Sequence, residues 1–242
     1  MRSKGGGRRP FRASRRTVVV ACVVAAVLIG LGVGLPLGLG TGKATHATSQ
    51  RLAPLSTLGQ LASPPPLGPP GPEGPPLESG KNLAPAAAPA PGSSVDGISC
   101  QGGEQVAFHI HARLTIFVNG RSERVPAGVG IADPLAEQTA RGPFVARGAC
   151  FAWLHTHAGD GIVHIESPVQ RTFTLGNFFD VWDEPLSSSR VGPAKGHVTA
   201  LLDGEVWRGD PRDIPLKAHA QIQLEVGRPL VAPVRISSWQ GL

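Results

Sequence analysis

The sequence predicts an α+β domain dominated by β-structure: antiparallel hairpins with one short helix, in a sandwich-like or β-grasp-like sheet. One transmembrane helix and a Pro-rich stalk are expected ahead of it. Three observations carry this reading. From residue 98 onward, apolar residues alternate in short runs instead of recurring at helical spacing. Asn119-Gly120, Asp160-Gly161 and Asp203-Gly204 punctuate those runs, and such pairs are the favoured short hairpin loops. Ahead of the runs lie a long uncharged stretch and a segment crowded with proline.

Taken in order, residues 1–16 form a basic head with seven Lys and Arg and no acid. Thr17–Gly40 carries no charge over 24 residues. That spans a hydrocarbon core of ~30 Å at ~1.5 Å per residue, and it exceeds the ~7–15 apolar residues of a cleaved signal. An uncleaved anchor is therefore expected over 17–42, with the basic head cytoplasmic and the rest of the chain outside. Residues 43–97 hold 12 of the 24 prolines, including GPPGPEGPP at 68–76. Three collagen-like triplets are too few for a triple helix, so the segment reads as a disordered polyproline-type stalk.

Residues 98–231 remain as an extracytoplasmic domain, with 232–242 as a C-terminal tail. VAFHIHARLTIFVNG (106–120) predicts a long strand that turns at Asn119-Gly120 and returns over 121–125. ACFAWLHTH (149–157) and GIVHIES (161–167) predict a second strand pair. RTFTL (171–175) leads into a helix over about 176–183, where Phe178, Phe179 and Trp182 fall at helical spacing and read as core. HVTALLDGEVW (197–207) predicts a hairpin, and AQIQLEV (220–226) a last strand.

The net charge of +6 does not indicate nucleic acid. The head accounts for seven positive charges, and residues 98–242 carry 13 basic against 14 acidic side chains. A domain without basic excess has no electrostatic footprint for a phosphate backbone. Serine-hydrolase and phosphate-loop chemistry lack their motifs. The membrane, through 17–42, is the one expected partner; a protein partner is unspecified.

Chemistry concentrates in the histidines. His109 and His111 stand two apart on a strand and share a face. With Asp160-Gly161 as a two-residue loop, His157 pairs with His164 and His155 with Glu166. Three imidazoles and a carboxylate then occupy neighbouring positions of one sheet face. Packing does not favour such crowding, because the rings repel when protonated and hold unpaired nitrogens when buried neutral. A divalent cation resolves both. Whether His109 and His111 join this centre or form another stays open, while His197 and His219 read as ordinary residues.

Met1 is the sole methionine, which excludes Met-rich copper(I) and blue-copper sites. Histidine with glutamate and no thiolate suits zinc or copper first, then iron or manganese. Cys100 and Cys150, outside the membrane, read as a disulfide.

The stretches HIHARLTIFVNG with VPAGVGI (109–131), CFAWLHTH with GIVHIESP (150–168) and TFTLGNFFDVW (172–182) resemble a family of secreted or membrane-anchored bacterial and archaeal His-motif domains to which no activity is attached. The resemblance implies that His109, His111, His155, His157, His164 and Glu166 act as one motif. Family members often carry Asp directly after the His-Thr-His; here Ala158 stands there and the nearest acid is Asp160, which is assigned no ligand role. The function expected is a membrane-anchored extracytoplasmic metal-binding domain for capture, buffering or transfer, with its histidines exposed on strands. A metalloenzyme and a metal-free adhesion or pH-sensing ectodomain are the other readings.

Overall fold

The computed structural model describes residues 51–242. The basic head, the anchor expected over 17–42 and the first residues of the expected stalk lie outside them. Among the described residues no helix is long and apolar enough to cross a membrane.

Eight strands build the principal sheet: β1 (Leu52–Ala53), β2 (Phe108–Val118), β3 (Arg121–Glu123), β4 (Leu154–His155), β5 (Ile162–Ser167), β6 (Val198–Leu202), β7 (Glu205–Trp207) and β8 (Gln221–Val226). Their order is β1-β7-β6-β8-β2-β5-β4, with β3 also paired to β2. β8 runs parallel to β2, and the other pairs are antiparallel. The hairpin signals are realised at two loops. Asn119 and Gly120 take φ of 51° and 73°, and Asp203 and Gly204 take 51° and 83°, the left-handed pair that a type I′ turn requires. Val118 accordingly faces Arg121, and Leu202 faces Glu205.

The one α-helix among the described residues, α1 (Leu175–Val181), follows its predicted position closely. The Thr174 side chain accepts from Asn177 N while Asn177 Oδ1 accepts from Thr174 N, a reciprocal cap that satisfies two otherwise orphaned donors. Phe178, Phe179 and Trp182 are fully buried against Ala112, Leu114, Val163, Ile165 and Leu224. Alternation along the strands thus sends one face of the sheet into this core. His109, His111 and Arg113 of β2, His164 and Glu166 of β5, and Gln223 and Glu225 of β8 fall on the other face.

That polar face is buried too, and the cover corrects the expected stalk. Over 51–97 the chain is not a free spacer but a strap laid on the domain. β1 pairs with β7, Ala62 N donates to Leu230 O at 2.8 Å and Ala232 N to Ala62 O at 2.9 Å, and Leu83 and Ala84 enter the core. The Glu78 carboxylate meets Arg113 at 3.3 Å. Polyproline-type chain cannot supply a regular ladder, yet its carbonyls and scattered acids can satisfy a polar sheet face. The tail is docked likewise: Val234 N and Ile236 N donate to the side-chain oxygens of Gln223 and Gln221, each at 2.8 Å. His219 stacks on Trp239 with ring centroids 4.6 Å apart, an ordinary packing role.

Ile98–Gln101, Cys150–Ala152, Ile131–Ala132 and Ser94–Val95 form a second, four-stranded sheet. The Cys100–Cys150 disulfide joins two of its neighbouring strands. A hairpin at Leu135–Thr139 and Gly142–Arg147 was not anticipated.

Candidate metal centre

Register brings the six sequence-predicted ligands together. On the β2–β5 ladder Glu166 lies beside His109 and His164 beside His111, and on the β4–β5 ladder His155 lies beside His164. The expected pairing of His157 with His164 is therefore off by two residues. Thr156 leaves the ladder because it has other partners. Its hydroxyl donates to Pro126 O at 2.7 Å and accepts from Val129 N at 3.1 Å, and its own N donates to Val129 O at 3.0 Å. The loop is correspondingly longer, and Asp160 Oδ1 caps Ile162 N within it. A shift of two preserves the face of every side chain, so His155 still points into the cluster. His157 reaches it from the loop.

Around β2 and β5 four ligand atoms form a closed ring. His109 Nε2 lies 2.9 Å from His111 Nε2, which lies 3.2 Å from His164 Nδ1. His164 Nδ1 is 3.3 Å from Glu166 Oε1, and Glu166 Oε1 is 3.0 Å from His109 Nε2. On the β4 side, His155 Nε2 lies 3.1 Å from His157 Nε2 and 4.0 Å from Glu166 Oε1. Ligand atoms of His155, His157, His164 and Glu166 fall within 4.8 Å of one another, as do those of His109, His111 and His164.

The tautomers on the β4 side are fixed by the backbone. His155 Nδ1 donates to Ala152 O at 2.9 Å, and His157 Nδ1 to Val145 O at 2.6 Å. A carbonyl oxygen only accepts, so both Nδ1 atoms carry protons. Burial first, then the charge of His164, holds both imidazoles below the usual histidine range. Neutral and protonated at Nδ1, both rings present a bare Nε2.

His111 is pushed down to about 3 by burial and the neighbouring imidazoles. His164 moves the other way. Burial opposes its charge, but the hydrogen bonds and charges of Glu166 and Glu73 together outweigh that and lift it to about 9. Glu166 Oε2 is buried without a hydrogen-bond partner. The expectation of exposed histidines is corrected here: of the six candidate residues only His109 reaches solvent appreciably, its side chain 38% exposed.

Sequence reasoning missed two acids. Glu73 Oε1 lies 2.6 Å from His164 Nε2, and Glu104 Oε1 lies 3.4 Å from His157 Nε2. A signal for the first existed, since Glu73 is the only charged residue between Leu52 and Leu77. Compared with protein-family models, curated proteins and solved structures, the chain matches none.

Proposed function

We propose that this chain is a divalent-metal-binding protein whose buried centre is held by His155, His157, His164 and Glu166, on a domain anchored outside a membrane through 17–42. The observation that carries the metal is the pair of bare Nε2 atoms 3.1 Å apart, each ring's proton donated away to a backbone carbonyl. Two acceptors cannot hydrogen-bond each other, and a cation coordinated by both is the arrangement that makes their approach favourable. Backbone carbonyls on the far nitrogens are the usual second partners of metal-ligating histidine.

An imidazole-rich set with carboxylate and no thiolate suits zinc or copper(II) ahead of iron(II) or manganese. Burial under the strap supports retention of the ion over rapid surface exchange. A metalloenzyme is the second reading, favoured by the partial exposure of His109 beside Glu166, the side from which a substrate would enter. The uncharged 17–40 stretch and the Cys100–Cys150 disulfide support the extracytoplasmic placement.

The test is elemental analysis by mass spectrometry of the full chain, purified without a polyhistidine tag, beside His155→Ala/His157→Ala. The wild type should retain metal through desalting, and the folded variant should lose an equivalent. Absence of metal after incubation with zinc, copper, iron and manganese would overturn the proposal.

A further inference from the structure

We infer that the centre is binuclear: His109 and His111 form a second ion site with His164 Nδ1 and Glu166, the two shared residues lying between the ions. The inference rests on the metal-binding reading and deepens it. β5, which carries His164 and Glu166, is the middle strand of three, with β2 on one side and β4 on the other. Neighbouring strands lie about 4.8 Å apart, so the His109/His111 pair and the His155 ring start from opposite sides of β5. The ring atoms keep that order. Glu166 Oε1 is 3.0 Å from His109 Nε2 and 4.0 Å from His155 Nε2, and the His164 centroid lies 6.0 Å from that of His109 and 5.3 Å from that of His155.

The ring of four atoms also has the size of a coordination shell. Ligands at about 2.0–2.1 Å from a tetrahedral zinc stand roughly 3.3–3.4 Å apart. The four observed separations run from 2.9 to 3.3 Å. Six strong N and O ligands exceed what one zinc or copper(II) ion ordinarily takes, whereas two ions bridged by one carboxylate use all of them. Glu166 has the second oxygen that a bridge needs, buried and without a hydrogen-bond partner. His164 lies within reach of both groups, its Nδ1 in the four-atom ring and its Nε2 hydrogen-bonded to Glu73 of the strap.

The experiment is a zinc(II) titration of the tag-free full chain, with bound equivalents counted by native mass spectrometry. His109→Ala/His111→Ala and the milder His109→Gln/His111→Gln run in parallel, each checked for fold by circular dichroism. The wild type should bind two equivalents, and whichever folded variant is used should bind one, still displaceable by His155→Ala/His157→Ala. Loading with copper(II) alone should give a paramagnetic signal weakened by coupling in the wild type and restored to that of an isolated ion in the His109/His111 variant. One equivalent in the wild type, unchanged in that variant, would overturn the binuclear inference and leave the metal-binding proposal standing. No bound zinc or copper would overturn both.

Discussion

Glu225 lies on β8, on the same face as the histidines, buried, with Gln223 Nε2 donating to its Oε1 at 2.6 Å. Burial raises its carboxyl from 4.5 to about 7, against the hydrogen bonds from Gln223 and Val231 that favour its ionised form. The folded state therefore binds this proton more tightly than the unfolded chain does. Its contribution is neutral below about pH 4.5, becomes progressively destabilising between 4.5 and 7, and levels off above that. Glu225→Gln keeps an acceptor for both donors and removes the charge. The variant should be more stable than the parent at pH 8, by up to about 3 kcal/mol, and nearly equal to it at pH 4. Urea unfolding at the two pH values measures this; equal stabilities at pH 8 would show that the folded carboxyl titrates normally. The alternation in AQIQLEV placed Glu225 opposite Ile222 and Leu224. Its face is covered by the chain that follows, where Val231 and Val234 meet Gln223 and Glu225, and the alternation within the strand does not report that return.

The strand Cys150–Ala152 connects the disulfide to the centre. It holds Cys150, and two residues later it offers the carbonyl that receives the His155 Nδ1 proton. The cross-link closes a sequence separation of 50 residues, for which loop-closure entropy gives about 4 kcal/mol. Cys100→Ala/Cys150→Ala should lose stability of that order in urea. It should also weaken zinc binding by roughly 10–100-fold, as loss of a partner that orients a ligand does, without changing the number of ions bound. Competition with a zinc chelator reads the affinity, and unaltered affinity would separate the strand's position from the cross-link. At this scale the hairpins at Asn119-Gly120 and Asp203-Gly204 and the helix were legible, because their signals are local. The Asp160-Gly161 signal misled on register, since Val129, Pro126 and Val145 compete for residues 156–157 from elsewhere in the chain. His155 still faces the cluster because the slip was an even number of residues.

Composition misjudged the chain between 51 and 97 because proline content reports what backbone cannot do, not where it lies. Apart from one 3-10 turn at Leu55–Leu58 and the two-residue strands Leu52–Ala53 and Ser94–Val95, the segment has no regular structure, and such a chain can cross a sheet face and meet it with single residues. Glu73 meets His164, Glu78 meets Arg113, Leu83 and Ala84 fill the core, and Pro85 O accepts from Trp182 Nε1 at 2.8 Å. The folding unit therefore includes 51–97 and does not begin at 98. A fragment of 98–242 would lose Glu78 from Arg113 together with the strap that covers the pair, and removing Leu83 from the core costs about 2–5 kcal/mol. The fragment would also expose the β7 edge that β1 covers. Against a total stability of about 5–15 kcal/mol for a domain, these losses are decisive. The 51–242 fragment should unfold cooperatively in urea, while 98–242 should be unfolded or aggregated under the same conditions. Equal midpoints for the two would mean that the strap rests on a domain already complete, and that Glu73 reaches His164 from a segment free to detach.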